Sequence, residues 1–85
     1  MRVRTVEEFA ATEKEAKAHA GNRAAELADK MRVHRDAAFQ WMQLAEEHHE
    51  AAPHAARVYR ALEKYQDELR EVTRKYNRIF QELAR

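Results

Sequence analysis

The last third of the chain carries apolar residues at alternating spacings of three and four. The line consists of Ala55, Val58, Leu62, Tyr65, Leu69, Val72, Tyr76, Ile79 and Leu83. Four unbroken heptads of this kind predict a long helix, over about 54–84, that lies along another helix as in a coiled coil. Pro53 immediately precedes it, and proline favours a helix start because its missing N–H is not needed in the first turn.

A second amphipathic stretch, before Pro53, predicts a helix over about 23–51. Its main apolar stripe consists of Ala24, Leu27, Ala28, Met31, Ala38, Met42, Ala45 and Ala52. On the back of this stripe lies a second apolar line, formed by Val33, Ala37, Trp41 and Leu44. A helix that is apolar around most of its circumference is contacted from more than one side. We therefore expect this helix to be central, with a neighbour on each of its two apolar faces.

The N-terminal stretch predicts a shorter helix over about 5–20. Thr5 and Glu8 have the spacing of a capping box, which marks the start of a helix. Gly21 is the only glycine of the chain, and glycine is typical of the residue that closes a helix. We favour a break at this position, and a helix that continues through Gly21 is the alternative.

The segment Ala51-Ala52-Pro53 joins the second and third predicted helices without typical loop residues. It is either a tight reversal or a kink in a longer helix. A reversal buries both apolar stripes inside one chain, whereas a kink forces pairing between chains, and we favour the reversal. The sequence thus predicts one all-α domain over residues 1–85. Its architecture is a long antiparallel helical hairpin plus a short N-terminal helix, a three-helix bundle completed by dimerisation.

Composition is the reason for expecting a dimer. One Gly and one Pro provide too few turns for a sheet protein. The apolar fraction is 45%, but seventeen of these residues are alanine, so the core of a single copy is small. Small domains with a limited core often self-associate or dock on a partner. We therefore expect a homo-oligomer, most simply a dimer.

Charge and hydropathy exclude some other classes of partner. The chain has 16 basic and 15 acidic residues, a net charge of +1, so its charge does not indicate nucleic-acid or membrane binding. No apolar run approaches the ~20 residues of a membrane span, and the N-terminus lacks the apolar stretch of a signal peptide. We expect a cytoplasmic protein. Abundant Ala and Arg, both encoded by GC-rich codons, favour a bacterial or phage origin.

The densest polar cluster surrounds Glu46 and His49. These two residues have the Glu-x-x-His spacing with which di-iron helical bundles bind metal. Such a site needs further carboxylates from other helices, and the first helix offers only Glu13. We therefore expect neither a metal nor a cofactor, and we keep Glu46 and His49 as candidates for an alternative metal-binding function.

Large aromatic and methionine side chains suggest where a partner is contacted. We identify Phe39, Trp41, Met42, Tyr59 and Phe80 as candidate partner-binding residues, either within an oligomer or towards another protein. The reason is that aromatic side chains dominate the binding energy of interfaces, and methionine is enriched in them.

Arg70, Arg74 and Arg78 are candidate anion-binding residues, because their spacing of four places them on one helix face. Like charges at this spacing repel, so an anion beside them is stabilising. The anion is either a phosphate or the acidic segment 46–50 of a second copy. Nucleic-acid binding through this basic end is a further alternative function, although no motif that reads DNA is present.

Catalysis has little support in the sequence. The chain has no Cys and no Ser, and one Gly excludes a glycine-rich phosphate loop. We therefore expect no catalytic residues and no enzyme activity. The function predicted is a non-enzymatic helical protein–protein interaction module that self-associates and binds a protein partner. Its role is that of an adaptor, an assembly factor or a phage-type inhibitor.

Overall fold

The computed structural model of the chain describes residues 2–84 and is helical almost throughout that range. Its elements are α1 (Val6–His19), α2 (Gly21–Glu47), a single 3₁₀ turn (His49–Ala51) and α3 (Ala52–Leu83). All three helices pack against one another, and no strand occurs between residues 2 and 84. The predicted all-α class and the three packed helices are therefore confirmed.

Helices α1 and α2 run in opposite directions. The Phe9 ring of α1 lies 6.1 Å from the Phe39 ring of α2, measured between centroids. Two turns further along α1, the Lys17 Nζ atom lies 2.5 Å from Asp29 Oδ1. Moving forward along α1 thus means moving backward along α2.

Helices α2 and α3 also run in opposite directions, so the bundle has an up–down–up order. His34 of α2 stacks on Tyr65 of α3, and Trp41 meets His54 edge to face. Between α2 and α3, His48 is extended and its carbonyl accepts a hydrogen bond from the Ala51 N–H at 3.0 Å. The chain therefore reverses, as favoured, but the reversal lies at 48–51, and Ala52 and Pro53 already belong to the first turn of α3.

A glycine makes the other reversal. Helix α1 ends at His19 and is capped by Ala20, whose N–H donates to the Ala16 carbonyl at 3.2 Å. Gly21 follows with a φ of +81°, a left-handed conformation that costs residues with a Cβ free energy. The predicted break between the first two helices occurs here.

We expect Gly21→Ala to lower the free energy of unfolding by about 1 kcal/mol, because alanine is strained at this φ. A Cβ atom added at this position would project into open space, so steric clash with neighbours adds nothing to the loss. Gly21→Asn is the matched control and should lose less, since asparagine tolerates the left-handed region better. Urea denaturation followed by circular dichroism measures both. Equal losses for the two variants would contradict this explanation.

The line of buried residues on α3 differs from the line of nine apolar residues, Ala55 to Leu83, that the sequence shows. The buried residues are Ala55, Tyr59, Leu62, Gln66, Leu69 and Thr73, again at alternating spacings of four and three. Val58, Tyr65, Val72 and Tyr76 flank this line and are partly buried, while Ile79 and Leu83 are exposed. The expectation that the reversal buries the apolar line of this helix within one chain is therefore wrong for its last two positions. These positions lie where α3 runs past the start of α2.

The molecule is a rod with a large surface for its mass. Its Cα radius of gyration is 14.9 Å and its dimensions are 55 × 22 × 17 Å. A compact chain of this length has a radius of gyration of about 12 Å. The accessible surface is 6370 Å², whereas a compact 10 kDa monomer exposes about 5,200 Å². Long helix faces therefore remain in contact with solvent.

Candidate functional site

The back of α2 carries an exposed apolar stripe. Val33 is 61% exposed, Leu44 is 40% exposed and Trp41 is 36% exposed, with the half-buried Ala37 between them. We call these four residues the outer stripe. They lie on the side of α2 opposite its buried alanines, which face α1 and α3. The expectation that α2 has a neighbour on both apolar faces is wrong for Val33 and Leu44, which are exposed, whereas the Trp41 ring meets His54 of α3.

Charged residues stand at the two ends of the outer stripe. Lys30 precedes Val33 by three residues and Glu47 follows Leu44 by three, so both lie on the same face of α2. Both side chains are exposed and neither forms a salt bridge to another residue between 2 and 84. The stripe is therefore apolar in its middle, positive at one end and negative at the other.

The candidate partner-binding residues occupy different environments. Phe39 and Tyr59 pack edge to face, with ring centroids 6.2 Å apart, and both contact Phe9. Met42 is partly buried against the same core. Trp41 is on the surface near the hairpin turn, and its ring lies 4.3 Å from the His54 ring. The structure thus places three of the five candidates in the core and leaves their role in binding a partner as a prediction.

Phe80, the fifth candidate, is 62% exposed near the end of α3. It lines a shallow recess with Lys17, His19 and Gly21 at the opposite end of the rod from Trp41. The helical rise between Trp41's neighbour His54 and Phe80 is about 39 Å. Trp41 and Phe80 therefore cannot contribute to one small contact patch on a single copy.

The N-terminal arm before α1 is attached to α3 by Arg4, a role that the sequence did not suggest. The Arg4 backbone N–H donates to the Tyr59 hydroxyl at 2.6 Å, and that hydroxyl donates to the Arg4 carbonyl at 3.2 Å. The Arg4 guanidinium donates to Gln66 Oε1 at 2.7 Å and to Asp67 Oδ1 at 3.1 Å. Burial raises the pKa of the Tyr59 hydroxyl. The arm is thus part of the fold.

Gln66 is a fully buried polar residue at the contact between α1 and α3. Its Nε2 group donates to the Thr12 hydroxyl at 3.0 Å, and that hydroxyl donates to the Glu8 carbonyl at 3.2 Å. Its Oε1 atom accepts the bond from Arg4. Since each of these groups has a partner, the buried amide is satisfied and fixes the register of α1 on α3.

A buried ion pair joins α1 to α2. The Arg35 Nη1 atom lies 3.0 and 3.1 Å from the two carboxylate oxygens of Glu13, and Arg35 also donates to Asp36 Oδ1 at 3.2 Å. Burial raises the pKa of Glu13, and the positive charge of Arg35 opposes that rise. This pair explains why Glu13 interrupts the apolar stripe of α1. It is occupied in the fold and is not available as a metal ligand.

A groove between α1 and α3 contains the three candidate anion-binding arginines. It has a volume of about 540 Å³ and is lined by Thr12, Glu15, Arg70, Thr73, Arg74, Asn77, Arg78 and Gln81. Arg74 lies 3.5 Å from Glu71, and both of these side chains are largely exposed. The structure thus brings Arg70, Arg74 and Arg78 together on one wall of a groove. We call this feature the basic groove.

Thr73 is a groove residue that the apolar pattern of the sequence does not reveal. It is only 5% exposed, lies among the arginines of the basic groove, and its hydroxyl has no hydrogen-bond partner among residues 2–84. A buried polar group without a partner costs free energy, so it is rare in folded proteins. The spacing of four from Leu69, along the buried line of α3, is the signal that could have revealed its position.

The metal-site candidates do not share a helix face. Helix α2 ends at Glu47, His48 is extended, and His49 begins the 3₁₀ turn. Glu46 and His49 therefore lack the i,i+3 geometry that the spacing requires. Across residues 2–84 no group of three or more His, Cys, Asp or Glu side chains is placed to hold a metal ion. The geometric argument for the metal-binding alternative is thus removed.

Comparison of the chain with models of known protein families, with curated proteins and with solved structures finds no match. In the part of the chain that the structure describes, no helix combines the length and the apolar character needed to cross a bilayer. The surfaces of the bundle itself are therefore the guide to its function.

Proposed function

We propose that this chain is a non-enzymatic helical protein–protein interaction module that self-associates through the outer stripe of α2. The observation that carries this proposal is the exposure of Val33 and Leu44 on one face of α2, together with Trp41, whose ring meets His54 of α3 but is still 36% exposed. An exposed apolar helix face is stabilised when a second helix covers it. The large surface of the rod for its mass supports the same conclusion.

An antiparallel arrangement of two copies suits the residues of the stripe. If two α2 helices cross between positions 38 and 39, Val33 of one copy lies opposite Leu44 of the other. Ala37 then lies opposite Gln40, and the small alanine permits a close approach of the two helices. Because the arrangement is two-fold symmetric, each of these contacts occurs twice.

Charge complementarity favours the same arrangement. In the antiparallel pair, Lys30 of each copy lies opposite Glu47 of the other, at both ends of the apolar contact. A parallel pair would instead place Lys30 beside Lys30 and Glu47 beside Glu47. Opposite charges flanking a helical interface set the orientation of the partners. We therefore propose a second copy of the chain, antiparallel, as the first partner of this surface.

We expect sedimentation equilibrium to give about twice the chain mass of 10.0 kDa. Leu44→Glu should yield a folded monomer, because the side chain faces outwards and its burial in the dimer is lost. Lys30→Glu and Glu47→Lys should each weaken the dimer by about tenfold, since each creates two pairs of like charges. The double variant, Lys30→Glu with Glu47→Lys, should restore wild-type association.

These outcomes separate the interface from other possibilities. A wild-type mass of 10.0 kDa at 100 µM protein would contradict self-association. A dimer that persists in Leu44→Glu would place the interface elsewhere on the bundle. If the double charge variant is no better than the single ones, the antiparallel register is wrong. Circular dichroism of each variant checks that the helices are retained.

A further inference from the structure

We infer that the basic groove between α1 and α3 is a binding site for the phosphate group of a small ligand. This site is separate from the proposed function. In a three-helix bundle the groove between α1 and α3 faces away from the outward side of α2. Both surfaces can therefore be occupied at the same time.

The charges of the groove are not balanced within the described chain. Arg70 and Arg78 form no salt bridge with any residue between 2 and 84, and Arg74 has only a long, exposed contact with Glu71. Three arginines spaced by four along a helix repel one another. Glu15 is the one acidic side chain in the lining. A dianionic phosphate would thus reduce the repulsion, and guanidinium groups bind phosphate through paired hydrogen bonds.

Neutral donors accompany the charges. Thr73 has a buried hydroxyl without a partner among residues 2–84, and Asn77 is half-buried beside it in the lining. A hydroxyl and an amide can each donate a hydrogen bond to a phosphate oxygen. An unpartnered buried hydroxyl weakens a fold, so a role in binding gives a reason for its presence. Thr73 and Asn77 thus lie in the same lining as the three arginines, within about two turns of α3.

The shape and charge of the groove favour a small ligand over a nucleic acid. The volume of about 540 Å³ lies in the range of small-molecule sites. A nucleic-acid strand must continue beyond the three arginines, where it needs further basic residues. The groove instead has Glu15 in its lining, and the whole chain has a net charge of only +1. The ligand is therefore inorganic phosphate or a small phosphate monoester.

The experiment is an NMR titration of the ¹⁵N-labelled protein, at constant ionic strength, with three probes. They are inorganic phosphate, glycerol 2-phosphate and a 12-nucleotide single-stranded DNA. We expect saturable shifts of the Thr73 and Asn77 amides and of the arginine side-chain Nε–H groups. Saturation by phosphate alone assigns the site to the free ion. At least tenfold tighter binding of glycerol 2-phosphate assigns it to a monoester.

Two sets of variants test the residues. Arg70→Gln with Arg78→Gln should weaken phosphate binding at least tenfold. Arg57→Gln with Arg60→Gln is the matched control, because it removes two exposed arginines of the same helix outside the groove, and it should bind as wild type. Thr73→Val should weaken binding several-fold without lowering the melting temperature. If the hydroxyl had only a structural role, its removal would lower the melting temperature and leave phosphate binding unchanged.

Three results would overturn the inference. The first is the absence of saturation up to 20 mM phosphate. The second is equal weakening by the two arginine pairs, which indicates non-specific attraction. The third is DNA binding at least tenfold tighter than either phosphate ligand through Arg70 and Arg78, with strong dependence on salt. That third result would assign the groove to the nucleic-acid backbone.

Discussion

Phe9→Ala should lower the free energy of unfolding by about 3–5 kcal/mol, the range for removing a buried phenylalanine side chain. Phe9 is fully buried, and its ring meets both Phe39 and Tyr59 edge to face at 6.1 Å. These three rings are the only place where large aromatic side chains from α1, α2 and α3 meet within residues 2–84. The cavity left by alanine would therefore loosen all three helices together.

The loss is large relative to the stability of so small a chain. For a chain of 85 residues, the total free energy of unfolding is about 4–13 kcal/mol. At the upper end of the expected loss, Phe9→Ala is partly unfolded at 25 °C. Urea denaturation of wild type and variant, followed by circular dichroism and by Trp41 fluorescence, measures the difference. Both probes should report one common transition in the wild-type protein.

Phe80→Ala is the matched control for this change, because it removes the same atoms from a side chain that is 62% exposed. Its effect should stay within about 0.5 kcal/mol. If Phe80→Ala costs as much as Phe9→Ala, the end of α3 is buried in solution by some other surface. If Phe9→Ala costs less than 1 kcal/mol, the aromatic cluster is not the centre of the core.

The long helices and the two breaks were predictable because their signals are local. The heptad line predicts both ends of α3 to within two residues. Gly21 marks the break between α1 and α2, where it adopts a φ of +81°. The end of α2 was placed four residues too late, at 51 instead of Glu47. Ala51 and Ala52, close to the reversal, have a high helix propensity. Helix propensity therefore does not predict the extended conformation of His48.

The polar part of the core could not be predicted from hydrophobicity. Gln66 and Thr73 lie on the buried line of α3, but both are polar. A line drawn through apolar residues alone therefore passes through their sequence neighbours Tyr65 and Val72 instead. Arg4 and Gln66 are joined by the fold across more than sixty positions of sequence. Burial of such groups depends on partners that only the tertiary structure supplies.

The candidate sites also have some features that are local in sequence and others that depend on the tertiary structure. The three arginines share a face because their spacing matches the helical period, and this much is readable from the sequence. The groove opposite them depends on α1 lying parallel to α3, which no local pattern reveals. Likewise the outer stripe of α2 was visible as a pattern. The exposure of Val33 and Leu44 within it follows only from the small number of helices in the bundle.

Arg35→Met should cost about 3–5 kcal/mol at pH 7, because it leaves the Glu13 carboxylate buried without its ion-pair partner. The double variant, Arg35→Met with Glu13→Leu, should recover most of this loss, since an apolar pair of similar size can replace a buried ion pair. Chemical denaturation of the wild type, both single variants and the double variant forms the complete thermodynamic cycle.

The loss in Arg35→Met should become smaller as the pH falls. Burial already raises the pKa of Glu13 above 4.5 in the folded protein, and removing Arg35 raises it further, because Arg35 lowers it. The folded state then binds a proton that the unfolded state lacks. Stability therefore rises as the pH falls through the folded pKa towards 4.5, and it is lost again as the pH rises. Asp36 remains near Glu13 and acts in the same direction as burial.

A comparison between variants isolates this effect from other titrating groups. Asp29 has a lowered pKa because of its hydrogen bond from Lys17, so its contribution to stability has the opposite sign. That contribution is common to all the variants and cancels in the difference. Arg35→Met with Glu13→Gln should lose the pH-dependent part of the deficit, since glutamine cannot titrate. A deficit in Arg35→Met that is the same at pH 7 and pH 5 would show that Glu13 reaches solvent once Arg35 is gone.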